Sequence, residues 1–148
     1  MLKKKSKGMI DDFLPIAIFI LIAAVLLFTS INFNTAANQK AQVNGIARRY
    51  VLKMETCGYL SDDMLAGLAQ ELNSSGFYAN SSGAAVTAGN LNIGTTTRTD
   101  VGYGNDITLT FTVYTDNRFL SGDGNIFTSF FENEIVPVTV TYRSTSKE

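Results

Sequence analysis

The chain has 148 residues, with 12 Lys and Arg against 13 Asp and Glu and a formal net charge of −1. It contains no His and a single cysteine, which excludes a Ser-His-Asp triad, a His-based metal site and an internal disulfide. No basic face with interleaved aromatic residues is present, which argues against a nucleic-acid partner. The sequence therefore predicts no enzyme activity, no cofactor and no metal site.

An apolar segment, residues 13–31, dominates the N-terminal part of the chain and carries no charged side chain. At about 1.5 Å per residue, a helix of this length crosses roughly 30 Å of hydrocarbon. A helix also satisfies its backbone hydrogen bonds internally, as lipid requires. We therefore predict a transmembrane helix over residues 9–33, with membrane lipid as a partner.

The charges on either side of this segment predict its orientation. Residues 1–8 hold four Lys and no acid, whereas residues 34–148 hold eight basic and eleven acidic side chains. Because Lys- and Arg-rich flanks stay in the cytoplasm, we predict a single-pass protein with an extracytoplasmic C-terminal domain. A cleaved secretory signal is the alternative, with small residues at Thr35, Ala36 and Ala37 for the cut. The apolar run is longer than such signals usually have, which favours a retained anchor.

The N-terminus resembles a type IV prepilin leader. It has a short basic tip, a Gly, acids within the next few residues and then a long apolar helix. The resemblance implies that a prepilin peptidase cuts between Gly8 and Met9, leaving residues 1–8 as a cytoplasmic leader. Pilins usually carry Glu at the fifth mature position, where this chain has Phe13, preceded by Asp11 and Asp12.

Two roles are open for Asp11 and Asp12. A carboxylate near apolar surface is costly unless it is paired, so pairing with the α-amino group of a neighbouring subunit would fix the assembly register around Phe13. Alternatively, the two acids cap the start of the helix and favour the positive end of its dipole.

The helical pattern continues beyond the apolar segment. Residues 32–55 contain no Pro and only one Gly, Gly45, which predicts a bend or a close helix contact. The apolar residues recur at spacings of three and four: Val43, Ile46, Ala47, Tyr50, Val51 and Met54. We therefore predict that the same helix runs on over residues 34–57 and stops at Gly58 in a left-handed conformation.

A second, shorter helix is predicted over residues 61–75. Ser61 is a preferred N-cap, Asp62 and Asp63 suit the positive end of the dipole, and Gly76 ends the helix. Its predicted buried face consists of Met64, Leu65, Leu68, Ala69 and Leu72.

Residues 84–148 are predicted to form a β region. The clearest strand covers residues 106–115, and a second covers residues 135–145 with Pro137 at its start or at an edge. Short strands at residues 85–87 and 91–93 and one helical turn at residues 126–131 complete the prediction. The fold class is thus α+β: a long N-terminal helix, a short second helix and an antiparallel sheet of three or four strands.

The segment IARRYVLKMETCGYL, residues 46–60, resembles an uncharacterised family of small single-pass proteins of Gram-positive bacteria. The basic tip, the apolar helix, the Arg-rich helix and a Met-Glu-x-x-Gly-Tyr-Leu turn occur in the family's order. The resemblance implies a pilin-like architecture similar to the TadE-like pseudopilins of tight-adherence systems. It further implies a structural subunit of a pilus or secretion system, with identical or related subunits and assembly machinery as partners.

A second interpretation is an unprocessed accessory subunit of a conjugation or export machine. Such a subunit would bind a neighbouring membrane protein through its helix and through Arg48, Arg49 and Lys53. From the residues alone, these three cations are equally able to pair with Glu55 or with acids of the domain, and exposed pairs of that kind contribute little stability.

Overall fold

The structure, a computed structural model, describes residues 8–116 and 135–147, with side chains from residue 13 onward. The described elements are, in chain order, α1 (Gly8–Cys57), α2 (Asp62–Ser74), β1 (Asp106–Thr115) and β2 (Val136–Thr145). The basic tip and the helical turn predicted at residues 126–131 lie outside the described residues.

Helix α1 is one uninterrupted helix of 50 residues that includes Pro15. This confirms the prediction that the apolar helix and the amphipathic helix are continuous. The helix ends where the sequence predicts, because Gly58 adopts a φ of +71° and its N–H donates to the carbonyl of Met54 at 2.8 Å. A residue with a Cβ rarely adopts this conformation, which is why Gly is the common helix terminator.

Helix α2 follows after a short turn and packs against α1. The Ser61 hydroxyl accepts from the backbone N–H of Met64 at 3.3 Å, which confirms Ser61 as the N-cap. The last turn closes when Phe77 donates its N–H to the carbonyl of Leu72, with Gly76 at a φ of +82°. Of the predicted buried face, Met64 is half-buried and the other four residues are buried.

The described part of the sheet has two antiparallel strands, β1 and β2, paired from Asp106↔Thr145 to Thr115↔Val136. The predicted bounds of β1 are confirmed, and β2 begins one residue later than predicted. The count of three or four strands is not confirmed.

The two predicted short strands are reduced to isolated bridges. Ala85 pairs only with Tyr78, and Asn92 pairs only with Thr112. At residues 85–87 the side chain of Asn90 accounts for this, because it accepts from the N–H of Thr87 and donates to the carbonyl of Ala85. These bonds occupy backbone groups that a strand would use for its ladder.

Irregular chain covers the edge of β1 that faces away from β2. Tyr78 exchanges both backbone hydrogen bonds with Tyr114, and the carbonyl of Asn92 accepts from Thr112. Further along, the Thr96 and Thr97 hydroxyls accept backbone N–H groups of β1 at 2.9 Å. This edge of the sheet is therefore satisfied without a third strand.

The core lies between the inner face of the sheet and the two helices. Ile107, Leu109, Phe111 and Val113 of β1 are each 0% exposed, which confirms the predicted inner face. All six apolar residues predicted on the second half of α1 are buried against them. The result is a helix-on-sheet layer arrangement, which confirms the α+β class.

Strand β2 runs along α1 and not across it. The pair Thr115↔Val136 lies level with Gln39, because the Thr115 hydroxyl is bonded to the Gln39 amide oxygen at 3.2 Å. Farther along, the Ser144 hydroxyl donates to the carboxylate of Glu55. The helix rises about 24 Å between these points and the strand about 26 Å, so the two axes are close to parallel.

Candidate membrane anchor and assembly surface

The first half of α1 presents large apolar side chains to its surroundings. Phe19 is 72% exposed and Leu21 is 65% exposed, and the most apolar 18-residue window has none of its residues buried. Among the described residues, α1 is the one helix that is long and apolar enough to cross a membrane, with a mean hydropathy of 2.8 in that window. The large exposed apolar side chains of this half are Phe13, Leu14, Ile16, Ile18, Phe19, Ile20, Leu21, Ile22, Val25, Leu26, Leu27, Phe28, Ile31 and Phe33.

Polar side chains in and just beyond this half bond to the helix itself. The Thr29 hydroxyl donates to the carbonyl of Val25 at 2.8 Å, and the Thr35 hydroxyl donates to the carbonyl of Ile31 at 3.0 Å. In hydrocarbon an unsatisfied polar group costs several kcal/mol. These bonds to the preceding turn therefore suit a helix that is surrounded by lipid or by other apolar helices.

The predicted processing and register residues lie at the start of the same helix. Gly8 and Met9 are its first two residues, and Asp11 and Asp12 follow within the next turn. Phe13 is 69% exposed, as a residue that contacts lipid or another subunit should be. Cleavage at Gly8 and register fixing by the acids stay predictions.

The three predicted partner-contact cations have different surroundings. Arg49 makes an ion pair with Glu71 of α2, and Lys53 lies 4.4 Å from the centre of the Tyr50 ring. Arg48 is exposed and makes no ion pair with any described residue. Arg49 thus pairs with an acid of its own domain, whereas Arg48 is available to a partner.

Glu55 is a buried acid, and its partners are not Arg48, Arg49 or Lys53, the cations that the sequence offers. Its carboxylate accepts from Lys147 and Ser144, and its backbone carbonyl accepts from the N–H of Lys147 at 2.7 Å. The hydrogen bond from Lys147, followed by that from Ser144, lowers the pKa of Glu55 below its ordinary value. Because 92 residues separate Glu55 from Lys147, no local pattern announces this contact.

A groove of about 460 Å³ runs between α1 and β2. Its lining consists of Lys40, Val43 and Asn44 of α1 and of residues 137–142 of β2. Sequence reasoning missed this feature, although Pro137 did indicate a sheet edge.

The described residues include no cluster of three or more Cys, Asp or Glu side chains that could hold a metal ion. No protein-family model, curated protein or solved structure matches the chain.

Proposed function

We propose that the chain is a membrane-anchored, pilin-like structural subunit of a tight-adherence or type IV-related pilus or secretion system. One observation carries the proposal: an apolar half whose most apolar window has no buried residue and an amphipathic half with one buried face form one unbroken helix. An anchor that served only as a tether would not need to continue rigidly into the core of the folded domain, which in the described chain comprises residues 34–116 and 135–147 and is called the head domain below.

The apolar half of α1 fits association with other helices as well as with lipid. The Thr29 hydroxyl and the Asn32 amide donate to carbonyls of the preceding turn, so these side chains can pack against identical helices without leaving an unpaired donor. In this proposal the leader is removed at Gly8, and the new N-terminus and the acids that follow it set the register between subunits.

The exposed, unpaired Arg48 supports a second candidate function. An unprocessed accessory subunit of a conjugation or export machine would keep its leader and bind a different membrane protein through α1 and this cation. The two functions differ in the N-terminus of the mature protein and in what surrounds the apolar half.

Mass spectrometry of the membrane-extracted protein tests processing directly. An N-terminus at Met9 supports the pilin-like function, and an intact Met1 supports the accessory function. In the Gly8→Leu variant we expect the leader to stay attached and surface filaments to disappear. Unchanged filaments in this variant would count against the pilin-like function.

Crosslinking in the native membrane tests the neighbours. Leu26 is 65% exposed in the native helix, so Leu26→Cys places a thiol on its surface. A Cys57→Ser background removes the only other thiol of the chain. A disulfide-linked dimer of the chain supports the self-association that a homopolymer needs, whereas a mixed disulfide with a different protein supports an accessory subunit. Leu52→Cys, on the exposed face of the second half of α1, is the matched control for adducts that do not need the apolar surface.

A further inference from the structure

The backbone of β1 shows which residues of β2 face outward. Tyr114 exchanges its backbone hydrogen bonds with Tyr78, on the side of β1 away from β2. Backbone groups alternate in direction along a strand, so the neighbouring Val113 bonds to β2, where its partner is Val138. By the same alternation, the residues on either side of Val138 direct their backbone groups away from β1.

The open edge of β2 is therefore formed by Thr139, Thr141 and Arg143. No described residue donates to or accepts from the backbone N–H and C=O groups that these residues direct outward. Pro137 lies at the beginning of the edge and has no N–H to offer. Such a row of backbone groups is a template for another strand.

The groove described above lies beside this open edge, and its accessible lining is more polar than apolar. Of its lining residues, Val43 is 1% exposed, Val140 is 6% exposed and Tyr142 is half-buried. Its volume of about 460 Å³ lies within the range of about 300–1,000 Å³ that holds compact ligand groups. The site thus offers a strand edge and a place for side chains of an added strand.

Among the described residues that line the groove or form the open edge, the charged side chains are positive. Lys40 lines the groove and Arg143 belongs to the open edge, and neither makes an ion pair with any described residue. No Asp or Glu is among the described lining residues. Two copies that met edge to edge would bring like charges together, which is a common protection against self-pairing. An acidic segment would instead find complementary charge.

We propose that the open edge of β2 and its groove bind an extended, acidic segment of another protein by strand addition. The backbone of the segment pairs with Thr139 and Thr141, alternate side chains enter the groove, and flanking acids meet Lys40 and Arg143. This site is separate from the apolar half of α1, so it does not depend on the proposed function.

Peptide binding to the full-length protein in detergent micelles tests the proposal. The probe is a fluorescent seven-residue peptide of alternating Val and Thr with a Glu at each end. We expect saturable binding that weakens as salt is added, because exposed charges are screened. The same peptide with Lys at each end should bind about tenfold more weakly, since it opposes the charge of the groove. A version with an N-methyl group on every residue between the two Glu residues, which offers no N–H from these residues at either edge, should not bind.

Variants of the chain locate the site. Lys40→Glu should weaken binding of the Glu-ended peptide about tenfold. Lys53→Glu makes the same charge change on the same helix but outside the groove, and should leave binding unchanged. Thr141→Pro removes one N–H from the open edge and should abolish binding. If this variant fails to fold, the N-methylated peptide answers the same question in the native protein.

Three results would overturn the proposal. The first is no binding of the Glu-ended peptide, and the second is equal binding of the Lys-ended or N-methylated peptide. The third is self-association of the native protein that Thr141→Pro abolishes, because a second copy would then occupy the edge.

Discussion

The two halves of α1 are alike in backbone and opposite in surroundings. In the first half Phe19 is 72% exposed and Leu26 is 65% exposed, whereas in the second half Ala47 and Met54 are 0% exposed. The first half is apolar on every side, and the second has one apolar stripe that faces the sheet and α2. A helix that is apolar all round must be covered by something other than water, while a striped helix needs only one packed face. The distribution of apolar residues around a helix therefore tells more about its surroundings than their number does.

The largest effect is expected from a charge in the buried stripe. Ala47→Asp places an unpaired carboxylate at a position that is 0% exposed, which should destabilise the domain by about 3–5 kcal/mol. Thermal unfolding followed by circular dichroism in detergent measures the loss. Ala41→Asp on the exposed face of the same half should change stability by no more than about 0.5 kcal/mol. Similar losses in both variants would show that the stripe is not the packed face.

A charge in the apolar half should have the opposite pattern of effects: it should leave the stability of the head domain unchanged and reduce retention in the membrane. Leu21→Arg costs about 2.5–3.5 kcal/mol at the centre of a membrane helix. We expect less protein in carbonate-washed membranes and an unchanged melting temperature of the domain. Leu52→Arg also replaces an exposed leucine of α1, and should leave both quantities unchanged. Loss of membrane retention in Leu52→Arg would contradict the division of the helix into two halves.

A smaller effect is expected at Gly45, where the sequence predicts a bend or a close contact. The helix continues through this position, and a Cβ there would meet no atom within 4 Å. Gly45→Ala should therefore raise the free energy of unfolding by about 1 kcal/mol, because Ala loses less conformational freedom in a helix. In α2, a Cβ on Gly67 would lie 2.8 Å from the Tyr50 hydroxyl, so Gly67→Ala should give no such gain. Chemical denaturation of the two variants gives the comparison.

The smallest expected effect is a change in how strongly acid lowers the stability of the head domain. It concerns Glu55, near the C-terminal end of α1. Bonds from Lys147 and Ser144 lower the pKa of Glu55 in the folded chain relative to its ordinary value of 4.5. Its contribution to stability is therefore present above that value and is lost as pH falls below it. Glu55→Gln should flatten the acid side of a plot of melting temperature against pH. Asp106→Asn removes an exposed acid from the start of β1 and should keep the native acid slope.

The helices and strands of the described residues could be predicted because each repeats a pattern over several turns or pairs. The stripe from Val43 to Met54 and the alternation from Ile107 to Val113 are examples, and both are confirmed. Caps such as Ser61 and Gly58 sharpened the bounds, because their chemistry acts within four residues.

Features that depend on distant or single contacts could not be predicted. The isolated bridges at Ala85 and Asn92 look like strands in sequence, and for Ala85 the bonds of the Asn90 side chain show why the bridge stays single. Of the candidate site, composition predicted the apolar half of α1 but not that Arg49 pairs with Glu71, 22 residues away. The open edge of β2 needs the register of the sheet, which no local pattern contains.

Because α1 is unbroken, it couples the orientation of the apolar half to that of the head domain. From Ile31 to Cys57 the helix extends about 39 Å, with no joint at which the head domain could turn independently. When the apolar half spans a membrane, as proposed, a change of about 10° in its tilt would move the far end of the head domain by about 7 Å; this change is small beside the spread of tilts that membrane helices show. Contacts of the apolar half would then set the direction of the head domain, and a force on the head domain would be transmitted to the apolar half.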